Sequence, residues 1–170
     1  ANLSPEKQEL FLLQLNKKQG EKVALCQIKP QKRNTITFPV SFAQQRLWFL
    51  DQLEPESSAY NMPLILRLTG SLNVAALEQS LAELLQRHEV LRTIFPTEKE
   101  DPVQKIIPVD VFVLSQVDFS KLQTEQREAR VLQFIEEESS RPFDLAGGPL
   151  LRATLIRLAQ EEHVLLLTVH

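Results

Sequence analysis

The run Val164-Leu165-Leu166-Leu167-Thr168-Val169 constrains this chain most. As an extended strand it carries apolar side chains on both faces, and such a strand belongs in the middle of a sheet covered on both sides. Before it, Leu151, Ala153 and Leu155 alternate with Arg152 and Thr154, which marks a second strand. Glu161 and Glu162 form the turn between the two, with His163 beside them. His170 follows the apolar run directly. A histidine emerging from a buried strand into a cleft can act as a general base, given a neighbour that fixes its tautomer. The alternative is a histidine that merely frays at a strand end.

The rest of the chain alternates helical and extended patterns. Residues 4–19 read as a helix, capped by Ser4, with Pro5 in its first turn and Gly20 as its stop. Residues 21–35 read as a polar linker, which puts a domain boundary near residue 35. Ser41 with Gln44 is a capping-box pattern opening a helix over about 42–53, with Leu47, Leu50 and either Phe49 or Leu53 inward. Met62–Leu68 reads as a strand. Asn73 caps a helix whose Leu77, Leu81, Leu84, Leu85 and His88 share a side. Leu91–Phe95 and Val103–Ile107 read as strands around a hairpin-like connector at Glu98–Asp101, and Val109–Val113 continues extended to Val117. Ser120 with Gln123 repeats the capping-box pattern and predicts a helix to about Ser140, with Leu122, Ala129, Leu132 and Ile135 inward. Arg141–Pro149 reads as a loop. The expectation is an α/β fold, an α+β sandwich with one mixed sheet flanked by three core helices and about six short strands.

Several function classes fall away. Net charge is −3, from 19 basic and 22 acidic residues, interleaved along the chain. No basic stripe offers a grip on nucleic acid or an anionic membrane. The apolar share of 43% suits a folded domain, which at this length hides roughly 70% of its unfolded surface. Cys26 is the only cysteine, so neither an internal disulfide nor a thiolate zinc cluster can form, and no metal is expected. The four glycines make no GxGxxG arrangement for a nucleotide. No signal peptide or membrane-length apolar run is visible, and the expectation is a cytoplasmic protein.

Two charged constellations remain. Arg87-His88-Glu89 followed by Arg92 joins a helix end to a strand. Arg87 and His88 suit the negative end of a helix, and Arg92 suits a partly buried cation that needs a carboxylate. Gln44, Arg46 and Trp48 lie on the helix after Ser41, where Trp48 suits a core edge and Gln44 and Arg46 a cleft wall.

These segments resemble the condensation domain of non-ribosomal peptide synthetases over residues 36–170. Ser41, Ala43, Gln44, Arg46, Leu47, Trp48 and Leu50 match its first motif, SxAQxRLWxL, and Arg87, His88, Glu89, Leu91, Arg92, Thr93 and Phe95 its second, RHExLRTxF. Arg141-Pro142-Phe143-Asp144-Leu145 and Gly148-Pro149-Leu150-Leu151-Arg152 are similar to the segment before its active-site strand. His170 stands at the first position of its third motif, HHxxxDG. The resemblance implies a chloramphenicol-acetyltransferase-like lobe, the N-terminal one of a pair meeting around a tunnel. It implies amide-bond formation: a carrier-bound aminoacyl acceptor attacks a carrier-bound acyl or peptidyl thioester. No cofactor is then bound directly, the substrates riding on phosphopantetheine arms of partner carrier domains. The second histidine of the motif is the implied reactive one, His170 being mainly structural, and Arg92 resembles the arginine that pairs with the motif's aspartate. Arg46, Gln44 and Trp48 become tunnel candidates, with Arg87 and His88 structural.

On this reading the chain is a front lobe that needs its C-terminal partner lobe and is inactive alone. Residues 4–19 either pack on the core or dock an upstream module. The alternatives are a non-catalytic docking fragment and a related acyltransferase of the superfamily, such as an epimerisation domain.

Overall fold

The computed structural model describes residues 35–109 and 111–170. The helix expected at 4–19, the linker at 21–35 apart from Thr35, and Cys26 lie outside the described residues. In chain order the elements are β1 (Thr37–Pro39), α1 (Phe42–Leu53), β2 (Met62–Thr69), α2 (Val74–Arg87), β3 (Thr93–Ile94), β4 (Thr97–Glu98), β5 (Asp101–Ile106), β6 (Ser115–Asp118), α3 (Thr124–Ser139), β7 (Leu151–Ala159) and β8 (Glu162–Val169).

The apolar run does take an inner position. The main sheet has the order β2-β8-β7-β6, so β8 has a partner on each side. It pairs antiparallel with β2 from Met62↔Val169 to Thr69↔Glu162, and antiparallel with β7 from Leu151↔Val169 onward. β6 runs parallel to β7, and a parallel pair needs a crossover. α3 lies between them in sequence and supplies it.

The pleat then sorts the core into two faces. Ala153, Leu155 and Leu165 lie on one face and pack with Leu77 and Leu81 of α2. Ile156, Leu158 and Val164 pack with Val131, Phe134 and Ile135 of α3. Leu155 and Ile156 are adjacent, so their side chains point to opposite faces, and the two helices cover opposite sides of the sheet. Ile156, Leu158 and Leu166 are almost wholly buried, each contributing about 1.5–3 kcal/mol through burial. The second sheet is small, with the order β1-β5-β3 and β4 also on β5. β4 and β5 form a hairpin through Lys99 and Glu100, both at positive φ, where a connector was expected.

α1 begins as its sequence predicts. The Ser41 hydroxyl accepts from the Gln44 N–H, and the Gln44 side chain accepts from the Ser41 N–H at 2.8 Å. Leu47 and Leu50 are half-buried on it, whereas Phe49 and Leu53 point outward.

Other expectations need correction. The segment expected as a strand over Leu91–Phe95 opens with a 3-10 turn at Glu89–Arg92, leaving only Thr93–Ile94 as strand. His88 closes α2 by donating its N–H to Leu84 O, and the Thr93 hydroxyl bonds back to Glu89 O at 2.8 Å, which tightens the turn. The capping box expected at Ser120 does not form. Asp118 Oδ1 accepts the Ser120 N–H at 2.8 Å and makes a local turn instead. α3 starts at Thr124, and its buried stripe is Val131 with Phe134 and Ile135. Leu132 is exposed and so is Ala129, against expectation. Only Ser115–Asp118 of the expected extended stretch is strand, and Val111 and Val113 are exposed.

Gly148 closes the loop into β7 at φ +62, and a Cβ there would stand 2.7 Å from Ile94 Cγ2. Among the described residues no helix is long and apolar enough to cross a membrane.

Candidate active-site cleft

β8 delivers His170 to the end of the main sheet. Its backbone N–H donates to Leu150 O at 3.2 Å, which ties it to the entrance of β7. The imidazole contacts two rings. Phe143 meets it edge-on, with centroids 6.1 Å apart at 77°, and Tyr60 is tilted against it at 6.4 Å and 58°.

His170 lines two cavities beneath α1. One, of about 160 Å³, includes Leu47, Leu50, Asp51, Glu54 and Tyr60. The other, of about 460 Å³, is mainly apolar and includes Gln44, Trp48, Tyr60, Met62 and Phe95. The structure therefore brings three of the sequence candidates together, Gln44, Trp48 and His170. Gln44 is fixed at both ends, by the Ser41 N–H and by its own Nε2, which donates to Gln104 Oε1 at 3.1 Å.

Burial pushes the His170 imidazole below the ordinary histidine range, and the Asp51 carboxylate opposes that. Asp51 is pushed up, first by burial; His170 and the Gln52 side chain draw it back down, and Asp144 adds to the rise. Both shifts favour uncharged groups, as expected for two ionisable side chains on a half-dry cavity. A neutral imidazole keeps a lone pair that can accept a hydrogen bond or a proton.

The other candidates lie elsewhere. Arg46 is exposed and lines neither cavity, so it does not stand on this cleft. Arg87 lies on the outer groove of α2 with Ser80 and Glu83. His88 is exposed and serves α2 through its backbone. Arg92 faces a different cavity of about 460 Å³, shared with Glu138, Arg141 and Arg152. It donates from Nη1 to Ile107 O at 2.9 Å, and its Nη2 is 3.8 Å from Glu89 Oε1. Its Nε is buried without a hydrogen-bond partner among the described residues. Leu91 lines both this cavity and the larger one at His170.

Asp51, Tyr60, Phe143 and Arg152 were not singled out by sequence as neighbours of the histidine. Phe143 and Arg152 did lie in the Arg141–Arg152 run; Asp51 and Tyr60 carried no such signal. Among the described residues no group of three or more His, Cys, Asp or Glu side chains can hold a metal ion.

The condensation-domain family model matches residues 34–170. The chain is 52% identical over 132 residues to one of the linear gramicidin synthase proteins of Brevibacillus parabrevis, covering 78% of this chain and 2% of the relative. It is 44% identical over 132 residues to the phosphinothricin tripeptide synthetase PhsC of Streptomyces viridochromogenes, covering 78% and 12%. Among solved structures, the starter condensation domain of rhizomide synthetase RzmA superposes with a TM-score of 0.71 at 23% identity, over 79% of this chain and 32% of that one. The first condensation domain of the calcium-dependent antibiotic synthetase gives 0.70 at 24%, over 80% and 33%. The fold is thus the chloramphenicol-acetyltransferase-like α/β type. The chain belongs to the condensation-domain family of non-ribosomal peptide synthetases. It spans a small part of the length of these relatives. Such domains work with carrier domains inside multidomain synthetases.

Proposed function

We propose that this chain is the N-terminal lobe of a condensation domain that joins a carrier-bound acyl or peptidyl donor to a carrier-bound aminoacyl acceptor. The observation that carries the reading is His170, presented at the end of an inner strand against two rings and opening on two cavities. The acceptor's ammonium must lose a proton before its nitrogen can attack the donor thioester carbonyl. The nitrogen–carbon bond then forms, the carbon–sulfur bond breaks, and the thiol leaves on the donor arm.

In this reading the His170 strand forms one wall of the cleft and anchors the residues that follow the first motif histidine. The mainly apolar cavity holds part of the substrate out of water, which strengthens any hydrogen bond made to the reacting groups. The protein binds no cofactor of its own, and phosphopantetheine arms of the carrier domains bring both thioesters. A second lobe closes the cleft. The exposed Met62, Leu64, Ile65 and Leu66 on edge strand β2 support the need for further protein surface there.

The test is amide formation by the condensation domain that contains this chain, given donor- and acceptor-loaded carrier domains. An increase in the acceptor carrier's mass by the donor acyl group supports the reading. Hydrolysis of the donor with no amide overturns it. The 170-residue polypeptide alone is expected to give no amide above background.

A further inference from the structure

The Arg141–Arg152 run has a specific task that the reaction chemistry does not account for. Phe143 is buried, and its ring touches both Arg152 and His170. The Arg152 guanidinium carbon stands 3.7 Å from its ring centre, and the His170 imidazole packs against the ring in a T-shaped arrangement at 77°. Arg152 is fixed in turn by three backbone carbonyls. Its Nη1 donates to Pro142 O at 3.1 Å, and its Nη2 donates to Glu138 O at 3.1 Å and to Arg141 O at 2.6 Å. Those carbonyls belong to the end of α3 and to the residues just before Phe143.

The loop that carries Phe143 is pinned as well. Leu145 O accepts from Phe95 N–H at 2.7 Å, Asp144 O accepts from Gly148 N–H at 2.8 Å, and Asp144 Oδ1 accepts from the N–H groups of Ala146 and Gly147. Asn61 Nδ2 donates to Ser139 O and Arg141 O, holding the same loop to the segment that carries Tyr60. A guanidinium in a half-dry site is costly, and burial lowers its proton affinity. Its fork of donors is what an apolar side chain of similar volume cannot supply.

We propose that Phe143 and Arg152 are positioning residues for His170, with Arg152 backing the phenyl ring and the phenyl ring setting the plane of the imidazole. Tyr60 is a second ring against the same imidazole. Phe143 has no hydrogen-bonding atom, so this contact orients the ring and leaves its nitrogens to the cavities. The titratable and charged groups facing His170 are Asp51 and Glu54 from α1 and the turn that ends it, Tyr60 from the segment before β2, and Arg152 behind Phe143, with Asp144 acting on Asp51.

The consequence for turnover rests on the function proposed above; the ring geometry does not, and the test separates them. Imidazole resonances of the condensation domain that contains this chain are followed by NMR against pH, with the buried His163 on β8 as the reporter of an intact fold. In Phe143→Leu and Arg152→Met, His163 signals stay put, the ring-current displacement of His170 is lost, and its titration midpoint rises as water enters. Wild-type His170 signals in these folded variants overturn the proposal. Should Phe143→Leu not fold, Phe143→Tyr and Arg152→Lys decide it. Tyrosine keeps the ring and the wild-type signals, whereas lysine has no planar fork and loses them; wild-type signals in Arg152→Lys overturn the proposal. In the whole condensation domain, Phe143→Leu lowers kcat by about ten- to a hundredfold with KM little changed. A released imidazole with an unchanged kcat leaves the clamp in place and removes its proposed catalytic purpose.

Discussion

Asp51 on α1 and His170 at the end of β8 face one small cavity, and each biases the other's charge. The carboxylate favours the imidazolium, while burial of both groups favours the neutral pair. Replacing Asp51 by Asn removes the influence that raises the His170 proton affinity. The His170 titration midpoint is expected to fall further in Asp51→Asn. An unchanged or higher midpoint, read from imidazole NMR, contradicts the placement of Asp51.

The sign of this shift also sets a pH dependence. Burial places His170 lower in the folded chain than the unfolded value of about 6.5. The unfolded state therefore takes up the proton first, and stability is full above that value. It is lost as pH falls below it toward the folded midpoint. His170→Gln should flatten this part of the stability–pH curve, measured by urea denaturation between about pH 7 and 5. A slope equal to the wild type's would rule out the coupling.

Gly148 is a backbone requirement and its replacement has a definite cost. Gly148→Ala places a methyl group 2.7 Å from Ile94 Cγ2 at a φ that L side chains rarely adopt. The expected destabilisation is about 1–3 kcal/mol, read as a lower urea midpoint at constant slope. A midpoint within error of the wild type would show that the loop relaxes freely.

Burial and surface charge should separate clearly. Ile156→Ala, at a side chain with 0% exposure, is expected to cost about 2–5 kcal/mol. Arg67 reaches Glu128 and Glu162 at 2.7 Å each and joins β2, α3 and β8, but on the surface. Arg67→Met should cost no more than about 1 kcal/mol, and less in high salt. Parity between the two variants in urea denaturation would refute the core assignment.

Much of this arrangement is legible in the residues alone. The Ser41–Gln44 pattern marks a helix start, and both of its hydrogen bonds form. The same pattern at Ser120 fails because Asp118 takes the Ser120 N–H for a turn. α3 starts at Thr124 instead, and it buries Val131 while Leu132 faces water. β8 is recognisable as an inner strand from its two apolar faces. His170 is recognisable from its position after that strand, but its companions are not. Asp51 and Tyr60 reach it only through the packing of α1 and its following loop against the sheet end, a relationship no local pattern encodes. Arg46 shows the converse. It belongs to a matched motif on the same helix, yet it points to solvent away from the cavities.

The central claim is that the His170 cleft serves transfer of an acyl group to an amine. A single-turnover measurement tests it most directly: donor thioester lost against amide gained on the acceptor arm, using the condensation domain that contains this chain. The account predicts that each donor consumed appears as one new amide. Donor that stays bound to its arm, or is released as free acid while the acceptor keeps its mass, contradicts it.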